Sequence, residues 1–427
     1  MSTPQQPPIL DLPDELLTGI LRQAAVLPYW HLAAKTGFAI YDLKICARLS
    51  TVCRRFYSNS LKFSYQSIHL GDWLGGWRKA PTIASVTHIH NIMRTNPAIA
   101  GYCQNLSINP THASDKANKA LAYFANHVVP LLTDVNTLSF DGPLSAIRSD
   151  QSWLVLRQAA RYMTKLARLE LKPGRGKNGL EIFPLVNGAE FGALKTVRLC
   201  YAYDEHETLQ TPETKNANFE HLILKGFRAK AHHLNFLINW PSALTTFVFR
   251  SFSHSELHQR QMALPEILHM LQGQKETLKI IKICSVGARD PVEDILDTSD
   301  FTALEELTVS RWHFGESHPV FHWTDVALVA APNLKRLTYD ARRDEYIGRR
   351  EKFTSDDETW IRRLVQGALA SNFSLPQLEI ICEPGISGAY VHPVSPWDRA
   401  RRLREEFGPQ GVCIEYNLCN TWNDEHD

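Results

Sequence analysis

The sequence predicts an α/β chain in two parts: a small all-α module near the N-terminus, then an irregular array of parallel strands with outer helices. Three observations carry this. Apolar residues recur at helical spacing between Leu12 and Leu70. Beyond residue 101 the pattern apolar-x-x-apolar-x-apolar returns nine times, with a weaker tenth copy. The stretches between copies carry apolar residues at helical spacing.

In the first part, Leu12, Leu16, Leu17, Ile20 and Leu21 step by threes and fours, which puts them on one helix face. Pro13 suits the first helical position, where its missing N–H costs nothing. Asp14 and Glu15 follow in the first turn, where the helix dipole favours negative charge. Ile45, Leu49, Val52 and Phe56 form a second stripe, and the module closes with Leu61, Tyr65, Ile68 and Leu70. A core of this size supports itself poorly. Spacing alone leaves two readings open: a helical docking module with apolar surface to bury, or a helical cap on a larger domain.

The chain divides into a Pro/Gln-rich tail expected to be disordered (1–11), the helical module (12–70), a connector (71–100) and the repeat region (101–427). A helix is expected over Thr82 to Arg94. The repeats begin with Cys103, Leu106 and Ile108, and continue through Val135-Asn136-Thr137-Leu138 and Leu166-Ala167-Arg168-Leu169 to Leu334-Lys335-Arg336-Leu337. The weaker copy is Leu378 to Ile381. Each copy alternates with period two, as a strand does. Helical patterns fall at Leu121 to Val129, Trp153 to Ala160, Leu234 to Ile238 and Leu264 to Leu271. Ser355 and Glu358 read as a capping box. Ser395 caps a helix ending at Gly408, and Val412 to Tyr416 forms a last strand. Strand-helix alternation gives a parallel sheet, because parallel neighbours need crossovers.

Of the 427 residues, 44% are hydrophobic and 21% charged, and the net charge is +1. That balance gives no steering toward nucleic acid or an anionic membrane. The start has neither a basic region nor an apolar core, so no signal peptide is expected. No apolar run approaches a membrane span of ~20 residues. The eight cysteines are scattered without a C-x-x-C pair, which fits free thiols in a reducing compartment, cytoplasm or nucleus.

Two blocks of the helical module carry a resemblance. Leu12-Pro13, Glu15-Leu16-Leu17 and Ile20-Leu21, followed by Leu49, Val52-Cys53-Arg54-Arg55-Phe56, resemble the F-box. The strand-helix repeats resemble the leucine-rich repeat domain that often follows an F-box, especially in fungal proteins. The resemblance implies a substrate-recognition adaptor of a cullin-type (SCF) ubiquitin ligase acting in ubiquitin-dependent protein degradation, with no catalysis, cofactor or metal of its own. It implies that Leu12, Pro13, Leu16, Leu17, Ile20 and Leu21 contact a Skp-family linker protein, and through it a cullin. Leu49, Val52, Cys53 and Phe56 would complete the module's core and binding face. There are two departures. Pro28 to Asp42 reads as an insertion between the first helix and the rest. The family's Asn or Cys three residues past the last strand leucine is missing, which leaves the turns to be held by packing. The alternative is an F-box and repeat scaffold acting outside ubiquitin transfer.

No phosphate loop, H-E-x-x-H or G-x-S-x-G motif is present. The adjacent His232 and His233 face different ways on a helix, which argues against a metal site. The third, fifth and seventh positions of each repeat should point away from the helices. On five consecutive repeats they include Arg168, Lys172, Arg198, Lys225, Arg250 and Lys282, against the single acid Glu170. This basic strip is the candidate substrate surface, suited to an acidic or phosphorylated segment of a protein substrate. The competing reading is that an open sheet face simply carries long solvated side chains. Near the C-terminus, arginines from Arg342 to Arg402 interleave with acids, which points to a solvated face rather than a nucleic-acid stripe.

Overall fold

The computed structural model describes residues 12–25, 43–71, 81–110, 115–142, 150–173, 191–202, 217–227, 229–250, 262–284, 297–314, 319–341, 353–373, 377–382 and 395–418. The expected tail and the insertion at Pro28 to Asp42 lie outside these residues. The chain is mixed α/β and forms two compact units, divided near residues 178–193.

Among the described residues, the first unit opens with helices α1 (Asp14–Ala25), α2 (Leu43–Ser50) and α3 (Arg54–Gln66). Leu17 donates its amide N–H to the Pro13 carbonyl, so Pro13 sits just ahead of the helix proper. The helices enclose a small core of Leu17, Leu21, Cys46, Phe56 and Phe63, with Ile45, Leu49 and Cys53 packed against it. Strand β1 (Ser67–Leu70) follows α3 directly. This corrects the expected boundary: the strand array begins inside the stretch assigned to the helical module, because Ile68 and Leu70 face a sheet rather than a helix.

Next come α4 (Ile83–Thr95), α5 (Pro97–Tyr102), β2 (Asn105–Ile108), α6 (Asp115–His127), β3 (Thr137–Gly142), α7 (Asp150–Tyr162) and β4 (Arg168–Pro173). Strands β1 to β4 pair in chain order, all parallel. Thr82 caps α4 by accepting from the Ser85 amide at 3.1 Å, which fixes the helix where its spacing predicts it.

The second unit holds β5 (Thr196–Cys200), β6 (His221–Lys225), α8 (Ala231–Asn239), β7 (Thr246–Arg250), α9 (Leu264–Leu271), β8 (Ile280–Cys284) and β9 (Glu306–Ser310). It ends with β10 (Arg336–Asp340), α10 (Ser355–Ala370), β11 (Gln377–Cys382), α11 (Pro396–Phe407) and β12 (Ile414–Leu418). These eight strands also pair in chain order and in parallel. Between β9 and β10 the crossover is made of 3₁₀ segments, Arg311–Phe314 and Trp323–Val329. The last strand lies two residues beyond its expected start at Val412.

The strand pattern has a direct physical cause. Val197, Leu222, Phe247, Ile281, Leu307, Leu337 and Leu378 occupy one register row, and each is buried. Burying such a side chain contributes roughly 1.5–3 kcal/mol, and only one alternation phase puts the whole row in the core.

The turns ahead of the strands are linked by main-chain hydrogen bonds, whereas most of the positions past the strands where the family's Asn or Cys would stand lie outside the described residues. In the second unit the amides of Glu220, Thr245, Lys279, Glu305 and Lys335 donate to the carbonyls of Lys195, Glu220, Thr245, Lys279 and Glu305, at 2.8–2.9 Å. The first unit repeats this, with Asn136 bonded to Gln104 and Ala167 to Asn136. One further turn is satisfied by a side chain. Buried Gln274 accepts from the Leu244 amide at 3.0 Å and donates to the carbonyls of Ile238 and Pro241.

The cap of α10 is Thr354 with Asp357, one residue earlier than the expected Ser355 and Glu358. Asp357 is drawn inward: it accepts the Tyr339 hydroxyl at 2.6 Å and the Thr354 amide at 2.7 Å, and stands 3.5 Å from Arg311. Glu358 instead meets Arg362, Arg399 and Arg402. Arg362 also bonds Glu406. Among the described residues, part of the interleaved run is thus paired within α10 and between α10 and α11, while 342–352 lie outside the described residues.

Cys46, Cys103, Cys200, Cys284 and Cys382 are buried, and Cys413 is exposed. Burial pushes the Cys103 thiol up to about 12. Alkylation of the native protein at neutral pH, mapped by mass spectrometry, is expected to modify Cys413 and to reach Cys103 only on unfolding. Early modification of Cys103 would contradict the packing around β2.

Candidate docking surface and strand face

The N-terminal module sorts its apolar residues into two sets. Leu17, Leu21 and Phe56 are buried in the module's own core. Leu17 and Leu21, expected as partner contacts, are enclosed in this structure, and Phe56 takes the core place that the resemblance also implied for it. Leu12, Leu49 and Cys53 are half-buried. The remaining four of the ten expected contacts face outward. Leu16 is 57% exposed, Ile20 46% and Val52 61%, and Pro13 is exposed beside them. Tyr57, which the sequence reading did not single out, is also exposed.

Leu16 and Ile20 sit one turn apart on α1, with Leu12 one turn before. Val52 sits in the turn between α2 and α3. An arginine joins these places. Arg55, in the first turn of α3, donates from Nε to Asp14 Oδ1 at 2.6 Å and from Nη2 to the Leu12 carbonyl. Thr18 adds a hydroxyl bond to Asn59 at 3.3 Å. The turn carrying Val52 is therefore held against the start of α1, while Leu16 and Ile20 stay exposed on that helix. Large exposed apolar side chains of this kind are candidates for an interaction surface.

Gly19 lies on the same side of α1, between Leu16 and Ile20. A Cβ added there would meet nothing within 4 Å. Glycine inside a helix costs about 1 kcal/mol relative to alanine. No internal contact explains it.

The strand face differs from its expectation. In the first unit, Arg168 is half-buried and Lys172 pairs with Glu170 at 2.8 Å. In the second unit, Arg198 and Lys282 share one register row, with Ile223 and Val248 between them. Lys225 and Arg250 are direct neighbours in the next row. The alternation is as read from sequence, but the solvation is not. Arg198, Lys225 and Arg250 are only 5–7% exposed, and Lys282 is half-buried. Side chains in a parallel ladder repeat every ~4.8 Å, so long ones lie against and shield their neighbours. Toward the end of the sheet the face opens and turns acidic: Glu379 accepts from Thr338 and Asn417, and Glu415 beside it is exposed.

No family model and no curated protein matches this chain.

Burial changes what a charge reversal reports. Arg198→Glu puts a carboxylate into an enclosed site built around a cation, at a cost of about 3–5 kcal/mol. Its melting temperature is expected to fall by several degrees. An unchanged melting curve would mean that the side chain is solvated after all. His232 is exposed and His233 buried, and their ring centroids lie 4.0 Å apart. Among the described residues, no helix is long and apolar enough to cross a membrane.

Proposed function

We propose that this protein is an F-box adaptor with a leucine-rich repeat domain. It docks to a Skp-family linker through Leu16, Ile20 and Val52, and presents a protein substrate to a cullin-based ubiquitin ligase. The observation that carries the reading is the division within the two motif blocks: Leu17, Leu21 and Phe56 close the core, while Leu16, Ile20 and Val52 stand outside it. A cap that merely covered the strand array would have no reason to leave these side chains in water. Gly19 supports the same reading, since a bare helix face allows a partner close approach.

The parallel strands in chain order, with α-helices described in seven of the connections between them, support the leucine-rich repeat assignment of the second part. Substrate contact falls to this part, and the partly open Lys282 is its most reachable basic residue. The chain contributes binding and placement, with bond chemistry left to the ligase partners.

The deciding experiment is affinity purification of the full chain with mass spectrometry. Recovery of both a Skp-family protein and a cullin is expected. Recovery of the linker without a cullin would favour a scaffold outside ubiquitin transfer, and recovery of neither would remove the F-box reading.

A further inference from the structure

Arg54 occupies the first position of α3, and Arg55 the second. The N-terminus of a helix carries partial positive charge and disfavours cations. This helix has no acidic residue in its first turn to offset them, and Cys53 provides no side-chain cap. Arg55 has an internal reason to be there, since it holds Asp14 and the Leu12 carbonyl. Arg54 is exposed, beside the exposed Val52 and one turn from the exposed Tyr57. Its place costs the free module stability.

The surroundings share its sign. Residues 12–25 and 43–71 contain six Lys or Arg and two acids, and Asp14 is already engaged by Arg55. The polarity extends further. Residues 1–193 carry 20 Lys or Arg against 12 Asp or Glu, and residues 194–427 carry 26 against 33. A net charge of +1 conceals a basic front half and an acidic rear half.

We infer that Arg54 is a partner-contact residue: it makes charge-assisted hydrogen bonds to a carboxylate on the linker protein, next to the exposed Val52 and Tyr57. The inference rests on the docking reading above and adds the chemistry of the partner, an apolar groove bordered by acid. Local rules broken without internal compensation are expected where a sequence serves binding. A guanidinium offers five donors in a fork that matches a carboxylate, which an ammonium does not. A rim charge acts mainly on association rate and on salt dependence.

The test uses the full-length protein and a purified Skp-family linker, with binding kinetics at low and high ionic strength and a melting curve for each variant. Arg54→Glu is expected to weaken binding about tenfold or more at low salt, chiefly through slower association, and to flatten the salt dependence. Its melting temperature should stay level or rise, because a carboxylate suits that helix position. Arg54→Ala should lose less affinity, and Arg54→Lys should recover only part of it. A merely structural arginine would lower stability and affinity together. If wild-type protein binds the linker and Arg54→Glu binds within twofold at low salt, the inference falls while the docking reading stands. If wild-type protein does not bind the linker, both fall.

Discussion

Asp357→Ala is expected to destabilise the second unit by about 3–5 kcal/mol, the cost of breaking a buried ion pair and leaving its partners unmatched. Asp357 is fully enclosed and serves three groups at once. It closes the start of α10 through Thr354, accepts the Tyr339 hydroxyl from β10, and faces Arg311 from the segment after β9. Burial, with Asp357 alongside, holds the Tyr339 hydroxyl well above its ordinary value, so this donor keeps its proton throughout the neutral range. Asp357→Asn separates the contributions. An amide oxygen still accepts from Tyr339, but the amide nitrogen standing in place of Oδ2 cannot accept from the Thr354 N–H and the charge opposite Arg311 is lost, so the cost should be smaller than for alanine, which loses all three. Urea or thermal unfolding measures both. A wild-type curve for Asp357→Ala would mean that the β9–β10–α10 junction is held by apolar packing alone.

Leu16, Ile20 and Val52 replaced together by alanine are expected to weaken linker binding by roughly 100-fold or more. Each side chain contributes about 1.5–3 kcal/mol if fully buried on docking. Even about 1 kcal/mol apiece amounts to two orders of magnitude. The melting curve should barely move, because exposed side chains outside any network contribute little to folding. Leu17→Ala gives the opposite signature. It opens a cavity in the module core at a cost of about 2–5 kcal/mol, and disturbs docking only through loss of structure. Wild-type recovery of the linker by the triple variant would exclude this face as the docking site.

These expectations also show how far the sequence reached. The strands were legible because the six-residue pattern has one phase that fills the core, and even the weak copy at Leu378 to Ile381 became a full strand, β11. β1 was missed although Tyr65, Ile68 and Leu70 fit the same pattern, because they also continued the helical spacing of α3. Two periodicities overlapped, and pairing with β2 decided between them.

The proposed docking face was half legible. Helical spacing identified Leu16, Leu17, Ile20 and Leu21 as one stripe, but two core helices turn only part of that stripe inward. Which leucine faces out depends on where α2 and α3 lie, a tertiary fact that no single-helix period contains. The Arg55 clamp spans 41 residues to Asp14 and leaves no local trace. The signal that was available is the pair of arginines at the start of α3, which local propensity does not favour. On the strand face, alternation gave the correct side for Arg198, Lys225 and Arg250, while their enclosure depends on neighbouring rows.

The turns between repeats have a consequence for sequence drift. The main chain itself makes the links from Lys195 onward through Glu220, Thr245, Lys279 and Glu305 to Lys335. Such links place no demand on which side chain stands there, so lysine, glutamate and threonine serve equally. A parallel sheet stitched in this way by its own backbone can vary the side chains and lengths of its turns without coming apart.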